Sequence, residues 1–288
     1  MKITVPKFES KNEYAVEIVS KSLGEINVLI LPITIEVEEY SFLHIGASSP
    51  LLTGTKGAVF KVDRIPVIPA SSFKGALRSQ LEMLFSTEIS SLLPMFNVPE
   101  GRKDSFKPCI PTTQKSDAEQ QLHQYREKHC YIQVKENKTE MTREGLCPVC
   151  YFMGAAGIMG CIRIPNFFPE AHQGSIIANQ TSIRIDRGTG TTVDKAKVEF
   201  EQVKPGIMFT GTIEIVNSSP TGLEFGQPRK IHEMILDRWL ETWRETNQET
   251  RKQLLLERIL IPALHNVRRL GGHKSKGGGK VLVTVNAS

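Results

Sequence analysis

The apolar and polar positions divide the chain into segments of different period. Residues 31–45 are rich in β-branched and aromatic side chains and alternate in part, which predicts a strand entering a Gly-rich loop at Gly46. Residues 46–57 hold three glycines with Ser, Thr and Pro, the chemistry of a loop. Beyond it, Phe73, Leu77, Leu81, Leu84 and Phe85 recur at helical spacing, so a helix is expected over 72–85 with Ser71 or Ser72 as its N-cap. Residues 94–145 are polar and poorly periodic and read as an insertion. Short strands are expected at 162–164, 181–186, 197–200 and 207–216, with a Gly/Thr-rich tip at 188–192. Residues 229–270 are the most helical: Ile231, Ile235, Trp239 and Trp243, then Leu256, Ile259, Leu260 and Leu264, form apolar stripes, with a kink at Pro262. A strand at 281–285 closes the chain.

Strand, helix, strands, helix, strand is the order of an α+β, ferredoxin-like βαββαβ unit carrying insertions. The 288 residues, 40% hydrophobic, suffice for one large domain with a sizeable core and no covalent staples. A net charge of +5 permits an anionic partner without demanding one. No run of apolar residues is long enough to span a bilayer, and the first residues lack the apolar stretch of a signal peptide. Five cysteines, an odd number that includes a Cys-x-x-Cys pair, suit a reducing compartment better than a disulfide framework, so a cytoplasmic protein is expected.

Two segments carry candidate chemistry. Cys147-Pro148-Val149-Cys150 has the spacing of a zinc knuckle, because two thiolates so placed reach one tetrahedral ion. Cys130 is a further ligand, and the fourth position lies open among Cys109, His123 and His129; Cys161, in an apolar strand, reads as core. Such an ion would supply folding energy to the polar stretch 94–150. The second segment, 271–280, reads Gly-Gly-His-Lys-Ser-Lys-Gly-Gly-Gly-Lys: its glycines let backbone approach a ligand, and Lys274, Lys276 and Lys280 supply cations suited to phosphate. It is no P-loop, since Val281 follows Lys280. Lys74 and Arg78, one turn apart at the start of the first helix, form a weaker anion-binding pattern.

Along most of its length the sequence resembles the RAMP superfamily of CRISPR-associated proteins, above all the repeated guide-binding backbone subunit of type III effector complexes. The resemblance rests on Leu43-His44-Ile45-Gly46, on the Ile-Pro-x-Ser-Ser-x-Lys-Gly-x-x-Arg-like run from Ile65 to Arg78, and on the segment from Cys147 to Gly154. Ile185-Asp186-Arg187 and the C-terminal glycine-rich loop complete it. It implies a ferredoxin-like, RNA-recognition-motif-like palm, a zinc-binding insertion at 94–150 and a β-hairpin thumb at 181–206. It further implies a subunit that holds crRNA, and through it target RNA, beside other effector subunits or copies of itself in a filament. RNA contacts would come from His44, Gly46 and Lys56, from Ser71, Ser72, Lys74 and Arg78, and from Arg184 and Arg187 on the thumb. Gly272, His273, Lys274, Lys276, Gly278 and Lys280 of the glycine-rich loop would complete the set, with structural zinc on Cys109, Cys130, Cys147 and Cys150.

One departure bears on catalysis. Active backbone subunits carry an aspartate in the loop after the first strand, but no Asp or Glu stands between Ile45 and Val62 here, and Asp63 is the nearest acid. The expectation is therefore a non-catalytic RNA-binding subunit with no catalytic residue; the alternative is an endoribonuclease using Asp63 or His44.

Overall fold

The computed structural model of the chain describes residues 2–6, 13–46, 57–87, 94, 100–135, 138–171, 174–193, 196–241, 243 and 247–286. Its main sheet is built from β1 (Val19–Leu23), β2 (Ile26–Val37), the short β3 (Ile162–Arg163) and β4 (Phe168–Pro169), β7 (Met208–Ser218) and β8 (Val281–Val285). A separate hairpin joins β5 (Ile177–Ser182) to β6 (Val198–Val203). The principal helices are α1 (Ala70–Thr87), α2 (Pro148–Met153), α3 (Gln248–Leu255) and α4 (Ile261–His265).

β2 shows why the sheet sits where it does. Leu31, Ile33, Ile35 and Val37 point to one face and are buried, whereas Ile30, Pro32, Thr34 and Glu36 on the other face are half-buried. Such a strand belongs at the centre, and the sheet runs β4–β7–β2–β8 with every pairing antiparallel. Phe209 lies opposite Ile35, and Val281 opposite Val37, so the apolar faces stay in register. β1 takes the first half of the β2 edge whose second half pairs with β8. α1 buries Phe73, Leu77, Leu81, Leu84 and Phe85, the stripe its sequence predicts, and packs on α4, which in turn lies on β8. Burying each such side chain stabilises the fold by about 1.5–3 kcal/mol.

Several boundaries move, each for a visible reason. The strand expected over 31–45 ends at Val37, because Tyr40 adopts a φ of 61° that no extended strand tolerates. α1 starts at Ala70, and neither Ser71 nor Ser72 is its cap: the Asn166 side chain, from a distant segment, accepts from Ala70 N at 2.9 Å. Ile231 and Ile235 do not lie on a helix. They belong to a tight hairpin, Lys230–Ile231 with Met234–Ile235, turned at His232 with φ 52°. A buried ion pair fixes that hairpin, with both Asp237 carboxylate oxygens on the Arg229 guanidinium at 2.7 and 2.8 Å. The expected kink at Pro262 takes the form of a π-helical turn, Leu256–Leu260, just before it. The β5–β6 ladder ends at Ser182, and Ile185 pairs instead with Thr192 across a tip whose turn is closed by the Asp186 carboxylate accepting from Gly188 N and Thr189 N, both at 2.9 Å.

The segment between α1 and α2 is less polar inside than its composition suggests. Phe106 is fully buried with its ring centroid 5.7 Å from that of Trp239, and Leu146 N donates to Leu236 O at 2.7 Å. Both tryptophans are core residues, as expected, although the helical stripe that carried the expectation is not formed.

Candidate functional site

Four cysteines from three places in the chain meet beneath α1. Cys147 caps α2, its sulfur accepting from Cys150 N at 3.4 Å, while Cys147 N donates to the Cys130 sulfur at 3.2 Å. Cys109 reaches in after the 3-10 turn Glu100–Phe106, with its sulfur 3.5 Å from that of Cys150. All four are buried, and their sulfurs lie within 4.8 Å of one another. A tetrahedral ion with thiolate bonds of about 2.3 Å spaces its sulfurs about 3.8 Å apart, so this donor set fits a metal ion. The set is the one read from the sequence, with Cys109 in the open fourth position: His123 is exposed and His129 turns towards Tyr131, ring centroids 5.6 Å apart. Cys161 stands outside the cluster as a core thiol, and burial pushes its pKa up to about 12.

Hydrogen bonds from Cys130 hold Cys109 below the ordinary thiol range, whereas those from Cys109 push Cys130 and Cys150 above it. At Cys147 burial pulls upward, and bonds from the other three sulfurs overcome it.

Arg78, expected beside Lys74 on an RNA-facing surface, turns inward to this cluster. Its Nη2 lies 3.6 Å from the Cys150 sulfur and 3.9 Å from that of Cys109, and its Nε donates to Glu82 at 2.8 Å. Lys74 itself is exposed, as is Ser71, and Ser72 is half-buried.

A second assembly forms where three segments converge. The glycine-rich loop closes on the segment after β2: Gly272 N donates to His44 O at 2.7 Å and Gly279 N to Phe42 O at 2.8 Å. Two of its glycines are required by this closeness. A Cβ at Gly271 would stand 2.2 Å from His44 O, and one at Gly279 would stand 2.2 Å from Leu270 O, both at positive φ. β6 supplies the third wall, with His44 Nδ1 2.7 Å from Glu201 O and the Phe200 ring stacked on His273 at 4.8 Å between centroids. His44 and His273 meet edge to face at 5.2 Å. The Glu201 carboxylate is taken up by Lys61 at 2.8 Å and by Val59 N at 3.1 Å.

Beside this junction opens a cleft of about 500 Å³ walled by Tyr40, Phe42, Phe200, Gln202, His273 and Lys276. Gly278 also lines it. Lys274, Lys276 and Lys280 are exposed, and so are Arg184 and Arg187 beyond the end of β5. Burial, then the neighbouring His44 and Lys276, lower the pKa of His273 below the ordinary histidine value. Gly46 is described, paired with Val59, whereas Lys56 and the rest of 47–56 lie outside the described residues. Asp63 is exposed at the tip of a tight turn between Lys61–Val62 and Ile65–Pro66, with φ 49°.

Sequence reasoning missed the cleft's aromatic wall. Tyr40 is 95% exposed at a left-handed turn, and a large ring in that setting after two glutamates was the available signal. Arg126, buried against Cys130, had none.

Sheet, cysteine centre and cleft define a mixed α/β protein with a cysteine set able to hold a metal and, at the strand ends, a cationic, aromatic-walled surface. The chain belongs to the RAMP superfamily, whose pattern matches residues 43–282, a family associated with RNA binding in CRISPR systems. No curated protein matches the chain. Among the described residues, no helix is long and apolar enough to cross a membrane.

Proposed function

We propose that this chain is a crRNA-holding structural subunit of a type III CRISPR effector complex, acting in the cytoplasm. The observation that carries this reading is the convergence of His44, the Gly/Lys loop and β6 around one open cleft. Strand order β4–β7–β2–β8 with α1 and α3–α4 in the crossovers supports a ferredoxin-like palm, and the β5–β6 hairpin with its 183–193 tip is the proposed thumb. Lys274, Lys276 and Lys280, with Gly272 and Gly278 beside them, present cations and backbone to guide phosphates. Ser71, Ser72 and Lys74 at the start of α1, and Arg184 and Arg187 on the hairpin, extend the track; Gly46 and Lys56 border it in the sequence. His44 shapes the junction, since its Nδ1 and its carbonyl are both engaged.

Sequence choice then falls to base pairing, with the protein reading backbone and shape. The same subunit would contact target RNA through the guide, and would assemble with other effector subunits or with copies of itself. The ion on the four cysteines is zinc in this reading, because four thiolates suit it in a closed structural site. It supplies cross-linking of the insertion to α2 and no chemistry on RNA.

The test is the native complex, purified and given a matching target RNA with magnesium. Co-purified small RNA, guide-dependent target binding and an intact target are the expected results. A complex free of RNA overturns the reading, and regular cleavage lost in Asp63→Ala or His44→Ala protein replaces it with the endoribonuclease.

A further inference from the structure

Arg126 presents a problem that the cysteine centre answers. It is 3% exposed, and its guanidinium donates to three backbone carbonyls: Lys107 O at 2.9 Å, Ser105 O at 2.6 Å and Gly145 O at 2.6 Å. All three are neutral. A buried cation without a counter-charge costs several kcal/mol, and a sheath of carbonyls satisfies its hydrogen atoms without balancing its charge. Among the described residues no carboxylate is one of its hydrogen-bond partners, and its Nη1 also lies 4.0 Å from the Cys130 sulfur. Arg78 repeats the arrangement from the opposite element, with Nη2 against the sulfurs of Cys109 and Cys150. Its Nε is shared with Glu82, a carboxylate at 17% side-chain exposure.

Two guanidiniums thus approach the sulfur cluster, and between them they touch three of its four sulfurs. Four thiolates around a divalent ion carry a net charge of −2; the buried Arg126 opposes it with a full positive charge, and the half-buried Arg78 with one that it shares with Glu82. Four neutral thiols would leave Arg126 unbalanced. We infer that Arg78 and Arg126 are positioning residues that set their guanidiniums against the sulfurs of a tetrathiolate metal centre, oppose its negative charge and orient the sulfurs towards the ion. This rests on the metal reading above and adds to it the assignment of Arg78 to the metal centre and not to RNA. It also makes α1 a shared element, with Lys74 turned out to solvent and Arg78, one turn later, turned in to the sulfurs.

The experiment uses the zinc-loaded full chain, titrated with a chromophoric chelator, and the cobalt(II)-loaded chain, whose sulfur-to-cobalt charge-transfer band reports the electron density on the thiolates. Outer residues that support metal ligands change affinity by about 10–100-fold when removed, and Arg78→Gln and Arg126→Gln should each weaken zinc by that factor. The band should move to lower energy in both, because a sulfur lone pair without a neighbouring cation is easier to oxidise. Arg78→Lys keeps the charge and should recover most of the affinity and the wild-type band position. A folded Arg78→Gln protein with wild-type zinc affinity and band overturns the inference. Should Arg78→Gln not fold, Arg78→Lys decides: a folded Arg78→Lys protein with its band displaced and its zinc weakened shows that charge is not the contribution. Wild-type protein that takes up no zinc and shows no sulfur-to-cobalt band overturns the metal reading itself, in an arm independent of the variants.

Discussion

Replacing Lys274 and Lys276 together by glutamine isolates the electrostatic part of RNA binding. Both side chains are exposed on the short turn between His273 and Gly277, so their loss removes charge without opening the core. The glycines that fix the loop against His44 and Leu270 are untouched, and so is the stacking of Phe200 on His273. Each phosphate contact on single-stranded RNA contributes about 0.7 to the slope of log affinity against log salt, so the double variant should lose about 1.4 from that slope. Between 50 and 200 mM salt the wild type should therefore lose about sevenfold more affinity than the variant. Fluorescence anisotropy with several unrelated RNA sequences measures this directly, and the change should be the same for all. An unchanged slope, or a change confined to one sequence, would refute phosphate contact by this loop.

Three further outcomes follow from other parts of the structure. Tyr40→Ala should weaken single-stranded RNA by about 1–3 kcal/mol with the salt slope unchanged, as loss of a stacked base does; unchanged affinity would remove Tyr40 from the surface. Asp237→Ala leaves the Arg229 guanidinium buried without its partner and should cost about 3–5 kcal/mol in denaturant unfolding, so a loss below 1 kcal/mol, about the worth of an exposed pair, would show that pair to be solvated. His265 is buried with its pKa lowered from 6.5 by burial and then by Arg268, so the unfolded chain binds its proton first. Stability should consequently fall as pH drops through 6.5 towards the folded value, and His265→Gln should flatten that part of the profile.

How much of this could be read in the sequence depended on whether the determining contact was local. The α1 stripe, the β8 strand and the cysteine set were legible because period and spacing are properties of the chain itself. The cap of α1 was not, since Asn166 comes from 96 positions away. Ile231 and Ile235 fit a helical period, yet a hairpin wins because Arg229 and Asp237 must meet, and the sequence does not announce that pairing. Lys74 and Arg78 looked alike for the same reason. Positions one turn apart lie about 40° apart around a helix, and only the arrival of Cys109 and Cys150 beside α1 separates the two side chains.

That separation has a mechanical consequence. α1 packs on α2, which carries Cys147 as its cap and Cys150 within it, and on α4 beneath β8. The glycine-rich loop connects the end of this helical layer to β8, while its backbone is bonded to Phe42 and His44 at the exit of β2. β2 and β8 are neighbours in the sheet. The cysteine centre and the cleft therefore brace one sheet from two sides, the first through α1 and α2, the second through the loops at the strand ends. A cationic surface that must hold a flexible polyanion in one path gains from such bracing, because each lysine whose backbone is already fixed loses less freedom on binding. The cysteines need not touch RNA to matter to its grip; they need only keep α1, and with it Lys74, at a fixed place above the sheet.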